Sequence, residues 1–274
     1  MVTKHIRPTV ADIRQMKARG QKISMLYVTT LEEAAAADAA GINMLSIEGH
    51  LFSPEMREAA GRCFVQVGLP FGPEGDLVTA RDYLKATYRF MGIGGDCFYC
   101  AASLDIQKAL CDNDVPVIAH AGLIPSHNTW TGGFRAVGKT AESARKVWNH
   151  IKQLEAIGCF GAELEVVPDR VAEMITRNTP MIMLGMGAGP HADAQYLFSE
   201  DVLGHTVGHK PRHAKTYRNF AAEYERLQNE RIAAFSEFVA DVRSGAYPSP
   251  RHVVGIAAEE LENFADSIPL SRER

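Results

Sequence analysis

The run Ala162-Glu163-Leu164-Glu165-Val166-Val167-Pro168 reads as a buried strand that ends at a proline and hands over to a helix. Side chains two apart on a strand project from one face, so Glu163 and Glu165 share a side. A carboxylate on a buried strand is costly unless it has partners or a chemical task. Strand-end acids beside a cleft are typical general bases. The same pair would also suit a structural ion pair or a solvent-facing edge, and the pattern alone leaves both readings open.

Outward from this strand the chain repeats one theme. Apolar strand-like runs at 23–28, 43–47, 63–67, 96–100, 115–119, 161–166 and 180–184 alternate with helical segments. Those helices are expected over 12–19, 31–40, 79–91, 103–111, 141–157 and 169–177, with another opened by Ser53-Pro54. A short helix over 192–200 and a weak eighth strand over 202–207 complete the expected set, followed by a charged helix over 215–243. Eight strand–helix units with right-handed crossovers predict an α/β fold, a (β/α)8 TIM barrel, over 1–274 as a single domain. Residues 215–274 are expected to form a mainly helical C-terminal extension. In such barrels the chemistry lies at the C-terminal ends of the strands. That rule nominates Tyr27, Glu48, His50, Gln66, Tyr99, Cys100, His120, Glu165 and the loop 185–189.

The composition excludes several classes. With 274 residues, 23% charged and a net charge of −4, the chain gives no electrostatic sign of a nucleic-acid or anionic-membrane partner. No apolar run approaches the roughly 18 residues that cross a bilayer. The first eight residues contain no apolar signal core, and five cysteines suggest reduced thiols, so a cytoplasmic setting is expected. Cys97 and Cys100 form a C-x-x-C pair without a second pair, and on a strand they would face opposite sides.

Two motifs match known expressions without their context. Gly133-Phe134-Arg135-Ala136-Val137-Gly138-Lys139-Thr140 fits G-x-x-x-x-G-K-T, but the preceding strand ends far upstream near His120. Gly185-x-Gly187-x-Gly189 lacks the spacing and later acid of a dinucleotide fingerprint, so its glycines are read as close-approach positions.

Several segments together resemble the ketopantoate hydroxymethyltransferase (3-methyl-2-oxobutanoate hydroxymethyltransferase) family. They are Val115-Pro116-Val117 through His120-Ala121-Gly122-Leu123-Ile124-Pro125, Gly132-Gly133-Phe134 through Gly138, and Leu164-Glu165-Val166-Val167-Pro168. Leu184 to Gly189 with Asp193 and Gln195, His209-x-Pro211-x-x-Ala214-Lys215 and Ser244-Gly245-Ala246-Tyr247-Pro248 extend the likeness over most of the chain. The resemblance implies the phosphoenolpyruvate mutase and isocitrate lyase superfamily of barrels, and a homo-oligomer acting on a small molecule. It implies aldol-type chemistry beside the carbonyl of a 2-oxo acid through an enolate, with methylenetetrahydrofolate as co-substrate. Glu165 matches the family's general base and His120 a substrate-binding histidine.

The resemblance also implies magnesium held by three acids, and here the chain departs from it. Gly68 stands at the second acid, Tyr99 at a lysine and Ala101 at the third acid, while Glu48 or Gly49 falls at the first. Magnesium binds poorly without hard oxygen ligands, so the ligand set of any metal is open. The enolate charge would then fall to Tyr99, His120, His50 or backbone amides near the glycine loop, with Glu48 a further substrate-binding candidate. Two alternatives stand beside this reading. One is a metal-independent C–C lyase, hydrolase or decarboxylase on another oxo compound. The other is a barrel that only binds a ligand or scaffolds an assembly.

Overall fold

The computed structural model describes residues 7–70 and 76–268. Its core is a closed parallel barrel in which β1 to β8 pair in sequence order and β8 returns to β1. The chain opens with helix α1 (Val10–Ala18), whose Thr9 cap and Asp12 hydrogen-bond reciprocally. Then follow β1 (Ile23–Tyr27), α2 (Leu31–Ala40), β2 (Met44–Glu48), α3 (Pro54–Ala59) and β3 (Phe64–Gly68). Next come α4 (Ala80–Ile93), β4 (Cys97–Tyr99), α5 (Leu104–Cys111) and β5 (Val117–Gly122). A short helix α6 (Asn128–Thr131) and α7 (Ala141–Ala156) lead to β6 (Gly161–Glu165) and α8 (Asp169–Arg177). The barrel ends with β7 (Ile182–Met186), β8 (Ala194–Phe198) and α9 (Ser199–Leu203).

The chain divides into two compact units, 1–218 and 219–274. The second contains α10 (Phe220–Ser244), capped by the Asn219 side chain, and α11 (Ala258–Ser267). The expected helix from Lys215 therefore begins five residues later. No residue of α10 is buried, and Leu227, Ile232, Phe235, Phe238 and Val239 expose apolar surface.

Strand alternation sorts the barrel's side chains into two layers. Outward residues such as Leu45, Val65, Phe98, Ala119, Leu164 and Met183 pack under the helices. Inward residues Ile23, Met25, Met44, Phe64, Ile118 and Ile182 form the apolar interior, closed by Ile13 of α1. Cys97 belongs to the inner layer and Cys100 to the outer one, as expected three residues apart on a strand. Cys100 is therefore turned away from the barrel mouth.

The eighth strand lies earlier than the sequence suggests. Residues 194–198 pair with β1 and β7, whereas 202–207 contain the end of α9 and irregular chain. The seam is reinforced from outside. Lys17 Nζ donates to Thr176 O (3.1 Å), Met181 O (2.7 Å) and Asp193 Oδ2 (2.8 Å). Asp193 in turn accepts from Met183 N through its carboxylate and from Ile23 N through its carbonyl.

Candidate active site

Register brings the chemistry-bearing residues to the C-terminal mouth. The β5–β6 ladder places His120 beside Glu163 and Gly122 beside Glu165. The β2–β3 and β3–β4 ladders place Glu48 beside Gly68 and Gly68 beside Tyr99. Together with Tyr27, Ser46, Met186, Tyr196, Phe198, Asp201 and His213, these strands line a cavity of about 420 Å³. An adjoining cavity of about 500 Å³ shares Tyr27, Glu48 and Tyr99 and reaches the exposed His50 at the rim.

The two carboxylates of β6 play different parts. Glu163 is 5% exposed; its Oε1 accepts from Gln66 Nε2 at 2.8 Å and its Oε2 lies 3.5 Å from His120 Nδ1. It is an ion-pair partner, held from two strands. Glu165 Oε2 lies 3.1 Å from His120 Nε2 yet accepts no hydrogen bond. The reason is that Nε2 is bonded to Leu123 O at 2.7 Å. A carbonyl only accepts, so Nε2 carries a hydrogen. Burial opposes charge on His120, but the carboxylates of Glu163 and Glu165 outweigh it and raise the imidazole to about 9. His120 is thus an imidazolium at neutral pH, with both ring nitrogens engaged: Tyr99 Oη lies 2.8 Å from Nδ1.

The backbone around Glu165 is equally constrained. Its carbonyl accepts from Leu123 N at 2.9 Å, so the Leu123 peptide joins the Glu165 backbone to the His120 ring. Gly122, at φ 87°, leaves room for that carbonyl. Val166 has φ 47°, a conformation that β-branched residues rarely adopt. Its N–H bonds Met186 O and its carbonyl accepts from Val137 N, so both neighbours hold the turn in place. This is local strain at the end of the site strand.

Glu48 is less tightly held. Desolvation raises its pKa; His50 opposes that shift and Glu163 adds to it. Its carboxylate lies over Gly68: a Cβ there would come within 2.6 Å of Glu48 Oε2. Burial also pushes the phenols of Tyr99 and Tyr196 well above their usual range, so both carry their protons at neutral pH.

The residues at the mouth do not fit a three-acid metal site. Gly68 and Ala101 offer no side-chain oxygen, and Glu48 fills the space a side chain at 68 would need. Among the described residues no group of three or more His, Cys, Asp or Glu is placed to hold a metal ion.

The structure brings together Glu165, His120, Tyr99 and Glu48, and leaves His50 at the outer rim. Sequence reasoning missed Ser46, Tyr196, Phe198 and His213. Tyr196 and Phe198 were obscured because their strand was expected further on; alternation from Ala194 would have found them. The two expression matches also resolve. Thr140 caps α7 by accepting from Ser143 N, and β5 ends at Gly122, so 133–140 is not a strand-to-helix phosphate loop. A Cβ on Gly187 would meet His213 Nδ1 at 2.7 Å and one on Gly189 the Asp169 Cβ at 2.5 Å, which makes both close-approach positions.

Comparison with known proteins gives the family of the chain. Residues 54–250 match the family "Ketopantoate hydroxymethyltransferase". The 3-methyl-2-oxobutanoate hydroxymethyltransferase of Desulfotalea psychrophila is 31% identical over 90% of this chain and 94% of its own. That of Citrifermentans bemidjiense is 30% identical over 89% of this chain and 97% of its own. Among solved structures, 2,3-dimethylmalate lyase, a PEP mutase/isocitrate lyase superfamily member, superposes with a TM-score of 0.48 at 12% identity. That superposition covers 94% of this chain and 98% of the other. The chain belongs to the ketopantoate hydroxymethyltransferase family of enzymes.

Proposed function

We propose that the barrel makes or breaks a carbon–carbon bond beside the carbonyl of a 2-oxo acid, through an enolate, with Glu165 as general base. The observation that carries this is the Glu165 carboxylate. It lines the cavity, one oxygen is buried without a hydrogen-bond donor, and an imidazolium stands beside it. Such a carboxylate has lone pairs available for a proton on the carbon next to the substrate carbonyl. The electron pair left behind moves to the carbonyl oxygen, and the enolate carbon then attacks a one-carbon electrophile. The relatives' names point to 3-methyl-2-oxobutanoate as acceptor, and methylenetetrahydrofolate is the donor that the resemblance suggests. No step here is routed through a metal, because the residues do not fit one.

A second reading rests on a specific observation. Among the described residues, no lysine or arginine lines either cavity, while Glu48, Glu163, Glu165 and Asp201 line the first. A substrate carboxylate would meet the His120 imidazolium, already countered by Glu163 and Glu165, and little further positive charge there. This favours an oxo compound without a carboxylate next to its carbonyl, handled by the same base. The exposed apolar side chains of α10 support self-association, and among the described residues no helix is long and apolar enough to cross a membrane.

The test is solvent deuterium exchange at C3 of 3-methyl-2-oxobutanoate, followed by NMR, with magnesium and separately with a chelator. Exchange by the wild-type enzyme that is lost in Glu165→Gln is the expected result. If the acid does not exchange but its methyl ester does, the second reading holds. No exchange of either compound removes both.

A further inference from the structure

We propose that the Tyr99 hydroxyl, oriented by His120, donates the hydrogen bond that takes up the enolate's negative charge, so that the enolate forms without a divalent metal. This deepens the function proposed above and rests on it.

His120 Nε2 carries a hydrogen because its partner is the Leu123 carbonyl. The state of Nδ1 then decides what Tyr99 can do. With neutral His120, bare Nδ1 accepts the phenol proton across the 2.8 Å contact, and Tyr99 has nothing to offer a ligand. With cationic His120, Nδ1–H donates to the phenol oxygen. The phenol proton must then point elsewhere. Among the described residues the Tyr99 hydroxyl makes no other hydrogen bond, and Tyr99 lines both cavities at the mouth. Its proton is therefore presented to the space that Glu165 also faces.

The charge distribution selects this donor. No lysine or arginine lines the two cavities among the described residues, and the acids at the mouth include no metal-holding cluster. The positive charge nearest the base is the buried imidazolium. Its own N–H groups are turned to Leu123 and Tyr99, so it reaches a ligand oxygen through the phenol. A polarised hydroxyl in a water-poor site is a strong oxyanion donor. In the step itself, the C3 proton passes to Glu165. The C3–H electron pair forms the carbon–carbon double bond of the enolate, and the carbonyl oxygen takes the charge opposite the Tyr99 proton. Tyr99 keeps its proton throughout. Tyr99 is a catalytic residue and His120 a positioning residue.

The protonation of His120 is set by all of its neighbours. Glu163 and Glu165 on β6 and Tyr99 on β4 face it, and His127 and His150 lie on the far side, sharing a cavity wall with it. The carboxylates dominate and raise it to about 9. Loss of that proton at alkaline pH turns the Tyr99 hydroxyl back toward Nδ1 and silences the donor.

The experiment compares wild type, Tyr99→Phe and Glu165→Gln in the C3 exchange assay in the presence of a chelator, across pH. Expected are chelator-resistant exchange by wild type with an alkaline decline near pH 9, and a loss of about 100-fold in Tyr99→Phe. The residual Tyr99→Phe rate should lack the alkaline decline, which a merely structural role would leave in place. Binding of 4-nitrophenolate, read by its absorbance, supplies a measurement independent of turnover. Binding with chelator present, weakened at least tenfold in Tyr99→Phe, supports the donor. Exchange that needs Glu165 and magnesium, or that is indifferent to Tyr99, overturns this inference and leaves the general base standing. No exchange of the acid or its methyl ester by wild type, with or without magnesium, removes the proposed function; nitrophenolate binding that still depends on Tyr99 would then uphold the oxyanion donor alone. Nitrophenolate binding that is absent, or unaffected by Tyr99→Phe, overturns the donor.

Discussion

The backbone carbonyl of Glu165 lies against Gly122, closer than any side chain at that position would tolerate. Gly122 also has φ 87°, where a Cβ is strained by roughly 1–2 kcal/mol before any contact is counted. Gly122→Ala should therefore push the end of β6 outward and carry Glu165 with it. The expected outcome is a stability loss of about 1–3 kcal/mol in urea denaturation. Alongside it, C3 exchange should fall about 100-fold or more, since displacement of the base by an ångström is enough. Retained exchange at a normal rate would show that the β5–β6 contact does not position the base.

Glu165→Gln keeps the shape and removes the proposed base. Exchange should fall by about 10²–10⁴ while the far-ultraviolet dichroism is unchanged. The same substitution takes one carboxylate from beside His120. The imidazole should titrate below its wild-type value of about 9, which NMR of the ring protons would follow.

His120 also links stability to pH. Its folded pKa of about 9 exceeds the usual histidine value of 6.5, so the fold binds this proton more tightly than the unfolded chain. The stabilisation is fully present below about pH 6.5 and is lost as pH rises through about 9. Its size is on the order of 3 kcal/mol at most. Denaturation series at pH 6 and pH 9.5 should show this loss in wild type and a smaller one in His120→Asn.

Glu48 and Gly68 form a testable pair. Gly68→Asp introduces a Cβ within 2.6 Å of Glu48 Oε2 and a second acid beside a partly desolvated one. It should cost about 1–3 kcal/mol alone. In the background of Glu48→Ala the cost should shrink by at least half, a coupling measured by a double-mutant cycle. Additive effects would mean that Glu48 does not occupy that space.

Lys17 donates to three acceptors, from helix α8, the residue before β7 and the chain before β8. Lys17→Met keeps the aliphatic stem and leaves the buried Asp193 without its cation. A loss of about 2–4 kcal/mol is expected, visible as a lower melting temperature. Exchange at moderate temperature should be unaffected, because these contacts involve none of the residues at the barrel mouth.

Much of the barrel was legible because seven strands announce themselves as short apolar runs between well-capped helices. The eighth was displaced because Ala192, Ala194 and Gln195 have the composition of a helix, while β8 is only five residues long. Pairing with β1 and β7, rather than local preference, makes it a strand. At the barrel mouth, the placement of Glu165 and His120 could be read from their strand-end positions. The division of labour between Glu163 and Glu165 could not. It depends on Gln66 reaching across the barrel interior to Glu163, and on the Leu123 carbonyl claiming His120 Nε2. The covering of Gly68 by Glu48 likewise needs the β2–β3 register, which no local pattern states.

The seam between β1 and β8 has a consequence for how the chain reaches its native state. Tyr27 pairs with Phe198, about 170 residues later, so the first strand emerges from the ribosome long before its second neighbour exists. Until then β1 presents one unsatisfied edge, and the interior it should cover is open on that side. Closure is thus a late event of high contact order, and loop-closure entropy must be met before the last ladder forms. A chain truncated before Ala194 would keep its earlier units but have no means of closing the ring. The half-made barrel, rather than the finished one, is the species most exposed to aggregation and most in need of a chaperone.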